Sequence, residues 1–98
     1  MEIFLFEYKA TKIVPHRAHV GVVGSGDLEV LIEPSATQQA TIFIRTSIEG
    51  FGEAWKAVMD RFFAVNDISA HVTINDFGAT PGVVGLRLAQ ALEVCFYD

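Results

Sequence analysis

The chain is poor in the features that mark several large function classes. It has one cysteine, Cys95, in 98 residues. No internal disulfide can form, which fits a reducing compartment. Basic residues are outnumbered, with seven Lys and Arg against twelve Asp and Glu and a net charge of -5. A nucleic-acid binder would show a basic face, so that class is set aside; an acidic body suits partners with basic docking surfaces. The first residues carry Glu2 and Glu7 and lack a basic segment followed by a long apolar run, unlike a secretory signal. No apolar run approaches the length of a membrane span. A cytoplasmic protein is therefore expected. There is no internal repeat and no low-complexity segment.

What the chain does have is apolar substance. Its hydrophobic fraction is 51%, and a single domain over residues 1–98 can bury a real core without metal or disulfide support. Residues 3–8, Ile-Phe-Leu-Phe-Glu-Tyr, are apolar at almost every position. Such a strand is expected to be covered on both faces, or else to lie against a partner. Residues 10–18, with Pro15, His16 and Arg17, read as an extended connector.

Residues 20–23 should be extended again. Leu28, Val30 and Ile32 then alternate with Glu29 and Glu33, interrupted only by Leu31, as in a half-buried strand. Residues 34–39 read as a turn. Ile42 and Ile44 share one face of a further strand, with Thr41, Phe43 and Arg45 on the other. The two strands are expected to be antiparallel neighbours. The apolar period then changes from two to about 3.6. Phe51, Trp55, Val58, Phe62 and Val65 form a helical stripe filled in by Ala54, opposite Glu53, Lys56, Asp60 and Arg61. Ser47 is the expected N-cap, and Asn66-Asp67 the stop. Val72 and Ile74 point inward from another strand. Thr80 and Pro81 open a second helix with Val84, Leu88, Ala91, Leu92 and Cys95 on one face. The order predicts an α+β two-layer sandwich: a mainly antiparallel sheet of about four strands with two helices on one face.

The stretch Gly21-Val22-Val23-Gly24-Ser25-Gly26-Asp27-Leu28-Glu29-Val30-Leu31 reads as strand, tight turn, strand. Glycine, serine and aspartate are turn formers, and that alone would explain Gly24, Ser25, Gly26 and Asp27. Yet Ser25 stands between two residues with no side chain to shield it. It is not a nucleophile elbow, because Val23 and Asp27 occupy the positions where glycines belong. A dinucleotide fingerprint fails too, since Glu29 stands where the third glycine should be. Asp27 can hydrogen-bond the turn backbone or help position a group arriving at Ser25. No catalytic triad or carboxylate pair emerges. His16 and His19 lie three apart in an extended segment without other ligands, so no metal site is expected. Asp76-Phe77-Gly78 matches three letters of a kinase motif in a chain too short for the rest. Ser25 is thus read as an attachment point, a recipient of chemistry done by others.

Three blocks carry a resemblance to a known family: residues 21–30 around Gly24-Ser25-Gly26-Asp27; Arg45-Thr46-Ser47-Ile48-Glu49-Gly50-Phe51-Gly52, running on to Arg61-Phe62-Phe63-Ala64; and Ile74-Asn75-Asp76-Phe77-Gly78-Ala79-Thr80-Pro81-Gly82-Val83-Val84, followed by residues 86–92. From residue 20 to about 93 the chain resembles the acyl carrier, or delta subunit, family of malonate decarboxylase. The resemblance implies a covalent prosthetic group, 2'-(5''-phosphoribosyl)-3'-dephospho-coenzyme A, on Ser25 through a phosphodiester. It implies a carrier and not a catalyst: the arm's thiol would hold acetyl, exchange it for malonyl at an acyl-transferase subunit (a malonyl transferase), and present malonyl to the decarboxylase subunits. A prosthetic-group transferase would install the arm. The ordinary four-helix acyl carrier anchors its arm at an Asp-Ser-Leu opening a helix, so simple 4'-phosphopantetheine is not expected. The citrate lyase carrier is similar in role and also has a Ser-Gly-Asp block, and an unmodified scaffolding subunit is the alternative of a different class. Residues 75–84 favour the malonate family.

Overall fold

The computed structural model describes residues 1–24 and 26–97. Its elements, in chain order, are β1 (Glu2–Lys9), β2 (Ala18–Gly21), β3 (Leu28–Pro34), β4 (Gln39–Thr46), α1 (Gly52–Val65), β5 (Ala70–Asp76) and α2 (Pro81–Tyr97). They form an α+β domain. The sheet has five strands in the order β1-β4-β5-β3-β2, one more than the alternation suggests, because residues 18–21 pair as an edge strand against β3.

The sheet is mixed. β1 with β4, β3 with β5 and β2 with β3 are antiparallel, but β4 and β5 run parallel. A parallel pair needs a long crossover, and α1 supplies it. The expectation that β3 and β4 are neighbours is therefore corrected: β5 lies between them, with Ile74 opposite Val30 on one side and Ile44 on the other. Alternation fixes which face a residue takes; it does not say which strand lies alongside. The short β3–β4 link instead bridges the start of β5, where the Ser69 hydroxyl donates to the Ser35 carbonyl at 2.6 Å.

One face of the sheet is buried. Leu28, Val30, Ile32, Ile42, Ile44 and Ile74 are each fully covered and share one core with Trp55 and Met59 of α1 and Val84, Leu88, Ala91 and Cys95 of α2. Both helices cover this face, as the two-layer reading required. β1 corrects the expectation of cover on both sides. Phe4, Phe6 and Tyr8 pack inward, whereas Ile3 and Leu5 remain 57% and 61% exposed on the open face. The α1 stripe is likewise narrower than its spacing suggests. Met59 is buried beside Trp55, while Ala54, Phe51 and Val65 are exposed. Ser47 is not its cap: Phe51 takes that position without a side-chain bond, and Asn66 ends the helix as expected. Thr80 does cap α2, its hydroxyl accepting from the Val83 N–H at 3.3 Å.

Candidate carrier site at the β2–β3 loop

The β2–β3 connection, residues 22–27, is longer than the tight turn expected, since the strands end at Gly21 and resume at Leu28. Gly21 has a left-handed φ of 84° and sits so close to the neighbouring strand that a Cβ would lie 2.0 Å from the Leu28 carbonyl oxygen. Only glycine fits there. That close approach brings the base of the loop together. Ser25 itself lies outside the described residues, but the residues around it are placed.

Val22 and Val23 are 61% and 58% exposed. Gly26 is exposed, with a left-handed φ of 75°, and nothing stands within 4 Å of where its Cβ would be. The loop is therefore open to solvent at Val22, Val23 and Gly26, with Gly24 half-buried. It is also anchored. The Gly26 N–H donates to the Phe77 carbonyl at 2.8 Å, the Phe77 N–H to the Asp27 carbonyl at 2.9 Å, and the Asp27 N–H to the Gly24 carbonyl at 3.1 Å. The loop is thus tied by its backbone to the segment following β5.

Asp27 adds the side-chain anchor. Its Oδ1 accepts from the Leu28 N–H at 2.7 Å and from Arg87 Nε at 3.1 Å, and its Oδ2 from Arg87 Nη2 at 2.9 Å. This two-pronged pair is directional as well as charged. The Arg87 hydrogen bonds, with help from the Leu28 amide, hold the Asp27 carboxyl below the usual carboxylate range, and Asp27 in turn raises the Arg87 guanidinium. Glu29 is held low in the same way, first by His19 Nε2 at 2.8 Å and then by Asn75 Nδ2 at 2.9 Å. Asp76 is buried next to the loop's backbone partner Phe77; its Oδ2 accepts from the Thr46 hydroxyl at 2.8 Å and its Oδ1 from the Ala79 N–H at 2.9 Å.

Sequence reasoning located Gly24, Gly26 and Asp27 but missed Arg87 and Phe77. A signal was present for Arg87. It is the one basic residue of α2, and it follows Val84 by three and precedes Leu88 by one, on the flank of the buried stripe. Its partner 60 residues away was not legible. Elsewhere the chemistry is sparse. Among the described residues no group of three metal-ligating side chains comes together; His16 is exposed and His71 lies on the open face. Cys95 is fully buried, and burial pushes its thiol up. No helix among the described residues is long and apolar enough to cross a membrane.

An anchored but open loop is what a covalent carrier needs, and comparison with known proteins shows the family. Residues 15–95 match the acyl carrier family described as malonate decarboxylase delta subunit (MdcD). The chain belongs to that family. It is similar to the malonate decarboxylase acyl carrier protein of Azotobacter vinelandii, 51% identical over 94 residues and 95% of each chain. It is 48% identical to that of Pseudomonas aeruginosa strain UCBPP-PA14 over 99 aligned positions, covering both chains in full. Among solved structures it is similar to a chain of the crystal structure of a Pseudomonas malonate decarboxylase hetero-tetramer in complex with malonate. There the TM-score is 0.92 at 44% identity, over 97% of this chain and 99% of the other. That solved chain thus shares the architecture described above, which is not a helical-bundle carrier fold.

Proposed function

We propose that this chain is the acyl-carrier subunit of a malonate decarboxylase, modified on Ser25 and not itself catalytic. What supports the reading is the family membership together with the exposed, glycine-flanked loop pinned by the Asp27–Arg87 pair. The prosthetic group is 2'-(5''-phosphoribosyl)-3'-dephospho-coenzyme A, linked through a phosphodiester. The open chain at Gly26 and the exposed Val22 and Val23 fit a bulky nucleotide attachment. When bound, the group supplies a thiol that carries acetyl and malonyl.

The protein's own residues do the rest. Gly24 and Gly26 carry no side chain that could shield a group attached between them, Asp27 and Arg87 fix the loop against α2, and the acidic body docks on basic partner surfaces. Tethering raises the effective concentration of the acyl group at each partner. The partners are the prosthetic-group transferase, the acyl-transferase (malonyl transferase) subunit and the decarboxylase subunits; the cytoplasm is the expected compartment. The test is the intact mass after co-expression with the modifying enzymes. Wild type should gain the dephospho-coenzyme-A-derived mass and Ser25→Ala should not. An adduct on Ser25→Ala would refute the site.

One observation favours a second reading, an unmodified scaffolding subunit: Ile3 and Leu5 expose an apolar strip on the open face. Equal malonate-dependent turnover by wild type and Ser25→Ala in a reconstituted complex would establish it.

A further inference from the structure

A cavity of about 460 Å³ opens between the starts of α1 and α2. Its walls are mostly apolar, with Phe51 capping one helix, Trp55 and Val58 within it, and Pro81 and Val84 from the other. Ile48 and Phe51, at its rim, are 41% and 54% exposed, and Trp55 deeper in is 6% exposed. The volume falls in the range of small-molecule sites.

Two features tie it to the carrier loop. Gly78 and Ala79 line it, and they follow directly on Phe77, whose carbonyl accepts the Gly26 N–H at 2.8 Å. Gly26, the described neighbour of the attachment position, therefore lies beside the cavity wall, its nitrogen 3.9 Å from where a Cβ on Gly78 would stand. The second feature is charge. Among the described residues Asp76 is the only ionisable side chain in the lining, and no lysine, arginine or histidine contributes to it. Placing a carboxylate there would strip it of water in an apolar site, with no cation to compensate and a like charge nearby. A neutral acetyl group meets no such cost, and the buried methyl gains from leaving water.

We propose that this cavity receives the thiol end of the arm in its acetyl form and excludes the malonyl form. The inference rests on the attachment reading above and deepens it. The carrier itself then distinguishes its two cargoes: the acetyl thioester rests in the cavity, and the anionic malonyl thioester stays outside, presented to the partner that decarboxylates it.

The experiment uses full-length protein carrying the arm, loaded with acetyl or malonyl, and follows thioester cleavage by hydroxylamine through intact mass. An end docked nine-tenths of the time is cleaved about tenfold more slowly than a free one. Ala54, exposed at the cavity lining, is replaced by Ala54→Phe to fill the cavity mouth without touching the core. The acetyl form on wild type should be cleaved about tenfold more slowly than on Ala54→Phe, and the malonyl form at one rate on both. Trp55, the one tryptophan of the chain, should shift its emission between acetyl and malonyl forms of wild type, a comparison that needs no variant. Equal cleavage on wild type and Ala54→Phe with unchanged Trp55 emission overturns the proposal. So does an Ala54→Phe protein that loses partner binding while its acetyl thioester is cleaved at the wild-type rate, for then the cavity receives a partner's side chain. Missing adduct on wild type, or adduct on Ser25→Ala, is read from mass alone; it fails the attachment reading and takes this inference with it.

Discussion

Gly21→Ala should be among the most damaging single-methyl additions in this chain, and Gly26→Ala in the same loop gives its control. Both glycines have left-handed φ values, 84° and 75°. An L-residue there costs about 1–2 kcal/mol, and Gly26→Ala should cost no more, because nothing lies within 4 Å of its Cβ. At Gly21 the Cβ would stand 2.0 Å from the Leu28 carbonyl oxygen, with the Leu28 carbonyl carbon at 3.1 Å and Glu29 Cα at 3.4 Å. All three are backbone atoms, so no side chain can rotate away. Relief requires the end of β2 to part from β3, giving up the Gly21–Glu29 pairing and about 1 kcal/mol for each backbone hydrogen bond lost. With the conformational strain included, the total is about 2–4 kcal/mol. Urea titrations of both variants should differ by about 1–2 kcal/mol, seen as a lower midpoint for Gly21→Ala at similar slope. A difference within about 0.5 kcal/mol would show that β3 yields to the methyl and that the close approach does not define the loop.

Trp55→Ala should destabilise by about 3–5 kcal/mol, toward the lower end because one side of the indole already faces the cavity; an unchanged denaturation midpoint would place Trp55 outside the core. The Asp27 and Glu29 carboxyls are held below the usual range in the folded state by Arg87 and His19. A lowered folded-state pKa contributes stability that is present above the unfolded value and lost as pH falls through the folded one. Stability should therefore hold above about pH 5 and decline below about pH 4, with a shallower acid decline in Asp27→Asn; equal acid limbs for wild type and Asp27→Asn would contradict the assignment. With a net charge of -5, affinity for the proposed transferase and decarboxylase partners should fall as salt rises, and a flat calorimetric titration series would mean that apolar contacts such as those offered by Ile3 and Leu5 dominate docking.

The residues differ in how much of this was readable in advance. Val30, Ile32, Ile42, Ile44, Val72 and Ile74 announce their burial by alternation, and Val84, Leu88, Ala91 and Cys95 by helical spacing. Side-chain direction along one element is a local property, so the pattern survives in one dimension. The Gly24-Ser25-Gly26-Asp27 block and residues 75–84 likewise carried the family. The β1 residues Ile3 and Leu5 misled, because a continuous apolar run fits a strand covered on both faces and also an edge strand with one face left open.

By itself, then, the sequence determined the element types, the buried faces of β3, β4, β5 and α2, and the delta-subunit family. Only the tertiary structure decided that β5 inserts between β3 and β4, that Arg87 reaches Asp27, and that the two helix starts leave a cavity near the β2–β3 loop. Backbone hydrogen-bonding groups are alike in every strand, so strand order follows from long crossovers and shared packing. A contact or a cavity between segments 60 residues apart exists only once those segments are brought together.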